Sequence, residues 1–474
     1  MPDAAAAAAP ISVRNPRTGE CDYAFTPPGE AELAARAAAL RVAQEAWWQA
    51  GLAHRQAVLL RFADAVEARE EAITAALAID TGRWHIAQGE VRNVSRNIRR
   101  WCERAPALLA VAERESAVMP GLRMTQQLVP YPLVGAITPW NFPLALSFID
   151  AVPALLAGCA CLIKPSEVTP RFIAPLNAAI AAVPELAAVL AVVPGDGATG
   201  AALIRQVDAV VFTGSVATGR KIAVAAAERF IPAFLELGGK DPAIVLASAD
   251  LATAADAVLR GSCVASGQVC LALERVYVDA SVHDRFVDLL VERARRVRIN
   301  YPDIMDGELG PIILARQAEI IDAHLDDAVA RGATIRCGGK TEVHGGGVWC
   351  PATVVVNVDH SMQLMNEETF GPITPVMAFR TVDEAVALAN DTVYGLSGAV
   401  FAGTIDEAVA VARRVRAGGM SINDAALTRE TYETEKNSFG WSGMGGSRMG
   451  DAGLLRFVRR QALLIQTREP ARLV

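Results

Sequence analysis

Between Val134 and Arg229 the sequence switches repeatedly between short apolar runs and stretches of helical period. Val134-Gly135-Ala136-Ile137-Thr138 leads through the turn Pro139–Pro143 into a helix over about 144–156. Cys159–Ile163 runs into Lys164-Pro165-Ser166-Glu167 and a further helix. Ala188–Val193 ends at Pro194-Gly195-Asp196-Gly197, and Ala209–Phe212 passes through Thr213-Gly214-Ser215 into a helix ending near Arg229. Continuous apolar strands with helices between them bury both faces, which only a parallel sheet covered by helices provides. Such sheets bind ligands beyond the carboxyl ends of their strands. Here those ends carry Asn141, Lys164, Glu167 and Ser215, so one crevice lined by all four is expected.

The alternation resumes after Lys240, with strands expected over 241–246, 275–278, 352–356, 374–378 and 397–401. Helices are expected over 251–262, 282–297, 315–331, 382–389 and 405–415, so a second α/β unit follows the first. A strand over 333–336 precedes glycine-rich turns at Gly338-Gly339 and Gly345-Gly346-Gly347. Ahead of both units, 11–28 reads as an extended arm with turns, 30–78 as helix broken at Asp80-Thr81-Gly82, and 86–110 as helix again. Met124–Val129 alternates polar and apolar residues, as a half-exposed strand does. Leu463–Gln466 has no neighbouring strand in sequence; it pairs either with Met124–Val129 or with another chain.

A chain of 474 residues, 52% hydrophobic, can bury two or three domain cores. A net charge of −7 offers no basic surface for nucleic acid. The 8 cysteines are dispersed without a C-x-x-C pair and the 6 histidines form no cluster, which argues against a zinc site and suits a reducing compartment. Ala4–Ala9 lacks the basic lead of a signal peptide, and no long uncharged apolar run marks a membrane span. The expectation is a cytoplasmic protein that binds neither membrane nor nucleic acid.

The chemistry centres on Cys270, which ends the turn-forming segment Ala265-Ser266-Gly267-Gln268-Val269-Cys270. A thiol nucleophile needs a donor for the oxyanion it creates and a base for the water that clears the acyl group. Asn141 is a candidate donor, and Glu236, just ahead of Gly238-Gly239, a candidate base. Singly each has a plainer reading: a lone cysteine is usually a small buried hydrophobe, and Glu236 reads as a turn carboxylate paired with Lys240. Their combination carries the argument.

The blocks around these residues resemble those of the aldehyde dehydrogenase superfamily, in order from about Asn15 to Gln466. They are Pro139-Trp140-Asn141-Phe142-Pro143, Lys164-Pro165-Ser166-Glu167, Phe212-Thr213-Gly214-Ser215, Glu236-Leu237-Gly238-Gly239-Lys240, Gly267-Gln268-Val269-Cys270 and Glu368-Thr369-Phe370-Gly371-Pro372. Tyr394-Gly395-Leu396 and Gly418–Asn423 follow. The resemblance implies two parallel α/β domains, a Rossmann-like NAD-binding one over 1–112 and 133–238 and a catalytic one over 239–456. It also implies a small β oligomerisation arm and tail, 113–132 and 457–474, joining a homodimer or homotetramer. Cys270 would attack a small-molecule aldehyde, with Asn141 and the Cys270 N–H holding the oxyanion, and Glu236 would activate the hydrolytic water. Lys164 and Glu167 would meet the adenosine ribose, Ser215 the pyrophosphate, Glu368 the nicotinamide ribose and Phe370 the nicotinamide, with Trp140, Ser166, Gly214 and Leu237 completing the cofactor site. A carboxylate at Glu167 suits a ribose diol and repels a 2′-phosphate, so the resemblance implies NAD, with NADP possible.

Several positions depart from the family pattern. Ala265 stands where many members have asparagine, and the usual Pro-Phe-Gly-Gly becomes Ser438-Phe439-Gly440-Trp441. The Ser-Gly-x-Gly that follows it becomes Gly445-Gly446-Ser447-Arg448, and a long segment with Arg429, Tyr432 and Lys436 separates Asn423 from Phe439. Asp150, basic in some relatives, reads either as a replacement for that charge or as a solvated or capping carboxylate. Phe142, Ala145, Leu146 and Ile149 form one helix face and predict a medium-chain or aromatic aldehyde, while Arg429 keeps a dicarboxylic semialdehyde open. Two rivals stand beside the hydrolytic reading. One is a CoA-acylating relative, disfavoured by a base at Glu236; the other is a binding protein on the same fold.

Overall fold

The computed structural model describes residues 9–469. Two sheets organise it. The first has 6 strands in the order Gly443–Met444, Ala233–Glu236, Ala209–Thr213, Leu133–Ile137, Ala160–Lys164, Leu190–Val192, all parallel except the first. Every residue of the strands Leu133–Ile137, Ala160–Lys164 and Ala209–Thr213 is buried, as a sheet covered on both faces requires. The cover comes from the helices Glu30–Gln49, Gly51–Glu67 and Pro143–Ala157, with Gly197–Ile204 and Val216–Glu228 alongside. Phe62, Phe148, Leu155 and Leu162 fill the space between.

The second sheet has 7 strands in the order Thr334–Cys337, Thr353–Val356, Ile373–Phe379, Leu273–Asp279, Asp241–Val245, Ser397–Phe401, Gly419–Ile422. Only the edge strand Thr334–Cys337 is antiparallel. A separate apolar core packs on each face.

Val458–Gln466 pairs antiparallel with Leu122–Pro130 of the same chain, from Val458↔Pro130 to Gln466↔Leu122, which decides between the two partners its sequence leaves open. The strands Ala233–Glu236, Gly419–Ile422 and Gly443–Met444 and the hairpin Glu342–His344/Gly347–Trp349 are additions to the predicted elements. Gly443–Met444 and the helix Ala452–Leu455, which packs on Pro143–Ala157, return the chain to the first sheet after the second is complete. That return brings residues 438–456 against the end of strand Ala233–Glu236. No helix among the described residues is long and apolar enough to cross a membrane.

Candidate active site

Strand ends of the first sheet and loops of the second enclose a cleft of about 820 Å³. Its wall carries Asn141, Lys164, Glu167 and Ser215, so the expected crevice forms, together with Trp140, Ser166, Gly214, Leu237, Cys270, Glu368 and Phe370. Of the predicted catalytic and cofactor residues, Glu236 alone is off that wall. It ends its strand one residue before Leu237, paired with Thr213 on one side and Gly443 on the other.

The loop bearing Cys270 is wound tightly. Helix Leu251–Cys263 gives way to a 3-10 turn in which Ala265 (φ 53°), Ser266 (φ 59°) and Gly267 (φ 67°) are all left-handed. At Gly267 a Cβ would sit 2.1 Å from the Gly371 carbonyl oxygen, so both space and φ require glycine. Ser266 Oγ donates to Gly310 O at 2.8 Å, Gln268 Nε2 donates to Pro311 O at 3.1 Å, and Ile313 N donates to Gln268 Oε1 at 2.9 Å. Asn141 joins this lock: its Nδ2 donates to Gln268 O at 2.9 Å. An amide nitrogen carries two hydrogens, so one holds the Cys270 loop and the other is free to meet a ligand. Cys270 itself is half-buried. Burial pushes its thiol up to about 12, Glu368 and Asp241 push the same way, and Lys436 and Arg448 pull it down.

Glu236 accepts from Ser438 Oγ at 2.9 Å through Oε2. The pairing with Lys240 does not form, because Lys240 Nζ is buried against Glu274 at 2.5 Å and Thr369 Oγ1 at 3.2 Å. Glu274 in turn accepts from the N–H groups of Thr369 (2.7 Å) and Phe370 (2.8 Å), holding Phe370 at φ 53° with its ring edge-on to Trp140, centroids 5.5 Å apart. Glu368 Oε1 accepts from Gly239 N at 3.2 Å, and a Cβ on Gly238 would collide with Oε2 at 2.4 Å. Burial, then the nearby Glu274, raises the Glu368 carboxyl to about 8.

Across the cleft, Lys164 Nζ donates to Gly195 O at 3.0 Å and Asp196 O at 3.2 Å, with Glu167 Oε2 at 3.5 Å. Ser215 caps the helix Val216–Glu228, accepting from Thr218 N, so free amides of that helix end face the cleft where an anion is stabilised. Ile204, Ile222 and Ala225 form an apolar slot between two helices. A helix terminus for a pyrophosphate, carboxylates for ribose hydroxyls and an apolar slot for a base are the donor set of a dinucleotide site.

Residues 4–463 match the model of the aldehyde dehydrogenase family. The chain belongs to that family. A relative from Mycolicibacterium smegmatis, provisionally named succinate-semialdehyde dehydrogenase [NADP(+)], is 36% identical over 92% of this chain and 85% of its own length. The solved structure of a provisionally named aldehyde dehydrogenase PutA from Anabaena variabilis superposes with TM-score 0.97 at 54% identity, covering 98% of this chain and 99% of that one. Betaine aldehyde dehydrogenase from Staphylococcus aureus, solved in complex with NAD+, superposes with TM-score 0.90 at 30% identity, covering 98% and 93%.

In this aldehyde dehydrogenase Asp150 is neither solvated nor a cap. Its buried carboxylate takes Arg448 Nη2 at 2.7 Å on one oxygen and Arg456 on the other. Arg448 Nη2 also donates to Thr213 Oγ1 at 2.6 Å, on the strand beside Glu236. On the same helix Phe142, Ala145, Leu146 and Ile149 are all partly exposed, but of this expected lining face only Leu146 is on the cleft wall, and Phe142 packs against the cluster of Ala265, Val269 and Ala272. Arg83 and Glu90, which hold the backbone around Asn141, carry no sequence signal: a basic residue just ahead of a helix and an acidic one within it usually face solvent.

Proposed function

We propose that this chain is a hydrolytic aldehyde dehydrogenase with Cys270 as nucleophile, Asn141 as oxyanion donor and Glu236 as deacylating base. The observation that carries the proposal is the 2.9 Å hydrogen bond from Asn141 Nδ2 to Gln268 O, which ties donor and nucleophile loop into one wall of the cleft. The Cys270 thiolate adds to the aldehyde carbon, and the oxygen takes the negative charge between Asn141 Nδ2–H and the Cys270 N–H. A bound nicotinamide dinucleotide supplies the acceptor for the hydride that leaves this adduct. The thioester then left on Cys270 is attacked by water whose proton passes to Glu236, releasing a carboxylic acid and the thiolate. Glu236 lies off the cleft wall, on the side where Ser438 and Arg448 approach.

The dinucleotide donor set supports NAD(P), with 1–112 and 133–238 as cofactor domain and 239–456 as catalytic domain, whose last part, 443–456, returns to the first sheet. Glu167, beside Lys164, favours NAD over its 2′-phosphate, although the Mycolicibacterium relative is named for NADP. Exposed Leu464 on the outer strand of the three-stranded sheet supports self-association through 113–132 and 457–474, as a homodimer or homotetramer. The unpaired thiols support a cytoplasmic setting.

Leu146, apolar and on the cleft wall, supports a medium-chain or aromatic aldehyde. A semialdehyde is the second reading. It is favoured by the name of the Mycolicibacterium relative; Arg429, the residue that keeps it open in the sequence, is off the cleft wall and lies 3.6 Å from Glu430. Stopped-flow absorbance with NAD and hexanal, benzaldehyde or succinate semialdehyde tests both readings. Wild type turns over, and Glu236→Gln gives about one NADH per site and then stalls. Acceleration of the mutant by CoA points to the acylating rival, and no NADH with any aldehyde, NAD or NADP overturns the proposal.

A further inference from the structure

We infer that Arg83 is a positioning residue that sets Asn141 and the Cys270 loop at a fixed separation. The inference rests on the reading of those two residues as oxyanion donor and nucleophile. Arg83 immediately precedes the helix Trp84–Leu108 and is almost wholly buried. Its two terminal nitrogens divide their work. Nη2 donates to the carbonyl of Asn141, and Nη1 donates to the carbonyl of Ala265 at 3.2 Å. One planar guanidinium therefore spans two segments far apart in sequence, each carrying one half of the proposed oxyanion site.

The surroundings fix that guanidinium rather than merely accommodate it. Its carbon lies 5.3 Å from the Phe142 ring centroid. Gly310 leaves room for its methylenes: a Cβ there would sit 2.4 Å from Arg83 Cγ, and the same Gly310 carbonyl accepts from Ser266. Two turns along the helix, Glu90 accepts from Leu144 N at 3.1 Å and Ala145 N at 3.0 Å. The helix thus grips Asn141 from both sides, its carbonyl through Arg83 and the amides just after it through Glu90. Burial lowers the Arg83 guanidinium to about 10, with Glu90 opposing, so it remains a cation at neutral pH.

Ala265 explains why such a grip matters. Alanine gains nothing in the left-handed region, where asparagine or glycine sits more easily, and two such residues stand in succession ahead of Cys270. The turn needs holding from outside. Among the described residues, besides Arg83 only Gln268 reaches the Ala265 carbonyl with a side chain, at 3.4 Å. A buried charge kept for packing alone would be replaceable by a neutral side chain at less desolvation cost. Two fork-held carbonyls are what the charge provides.

Arg83→Gln and Arg83→Lys, each as the full-length enzyme, test this. The burst rate of NADH should fall about 100-fold in Arg83→Gln, as for loss or misplacement of one oxyanion donor. KM for the aldehyde should move less than about threefold, because uniform binding is untouched. Arg83→Lys, able to reach one carbonyl, should be intermediate, and added methylguanidine should restore part of the Arg83→Gln rate. Hydrogen exchange should quicken in 139–146 and 264–271 together while the rest of the chain is unchanged. If Arg83→Gln fails to fold, Gly310→Ala displaces the same side chain and is read in the same way. A burst rate within twofold of wild type, or unchanged exchange in either segment, overturns the inference. If wild type oxidises no aldehyde, the functional proposal fails, while the exchange measurement still decides whether Arg83 couples the two segments.

Discussion

The Ser438 hydroxyl donates to Oε2 of Glu236 at 2.9 Å. Ser438 stands where the family pattern has proline, so this chain supplies its proposed base with a partner that a proline cannot provide. A hydrogen bond to a charged group is worth about 1.5–3 kcal/mol, and here it fixes which Glu236 oxygen faces Ser438 and which is left for water. Ser438→Ala should leave the NADH burst intact and lower the steady-state rate by about tenfold. A slower burst, or an unchanged steady state, would show that Ser438 does not serve deacylation.

Cys270 leads to a pH prediction. With its thiol raised to about 12, chiefly by burial, the enzyme without cofactor holds little thiolate at neutral pH. Alkylation by iodoacetamide should therefore be slow and climb about tenfold per pH unit from 7 to 9, since the thiolate is the nucleophile. Lys436 is the first of the cations that lower this value. Removing it in Lys436→Met favours the neutral thiol, so alkylation at pH 8 should slow further. Glu368 acts in the opposite sense, and Glu368→Gln should quicken it. Alkylation that is fast and flat across this range would mean a thiol already ionised.

The sheets were legible because their strands are continuous apolar runs bounded by Gly, Pro and Ser, a signal that burial on both faces enforces. Lys164, Ser215 and Cys270 were legible for the same reason: each follows such a run or ends a turn beside one. The strand Gly443–Met444 was not. Two residues, one of them glycine, have no intrinsic strand preference, and the pairing with Leu235-Glu236 exists only because the chain returns to the first sheet. The reading of Asp150 as a solvated or capping carboxylate, one of the two its sequence left open, fails for a related reason. Its partners Arg448 and Arg456 lie about 300 residues away, and no local pattern distinguishes a carboxylate that will meet two buried arginines from one that will meet water.

That buried set supports a prediction about stability. Asp150 compensates both Arg448 and Arg456, whose side chains are 9% and 4% exposed. Each arginine retains a buried Nε with no partner among the described residues, so neither has spare bonding to fall back on. Arg456 also lies 5.0 Å from the Phe234 ring centroid and 4.9 Å from that of Phe457, and donates to Gly446 O at 3.2 Å. Through it the 443–456 return is pinned to the strand that ends at Glu236. Asp150→Asn removes one charge and leaves two that repel each other in a dry site. Breaking a buried pair in this way typically costs about 3–5 kcal/mol, so Asp150→Asn should lower the urea midpoint substantially. The exposed pair Arg36–Glu32, 2.8 Å apart, is the control: Glu32→Gln should change stability by less than about 1 kcal/mol. Arg456→Met added to Asp150→Asn should recover part of the loss, because it removes the stranded like charge. Equal midpoints for Asp150→Asn and Glu32→Gln would mean that water reaches the arginines and that the return segment is held by its apolar contacts alone.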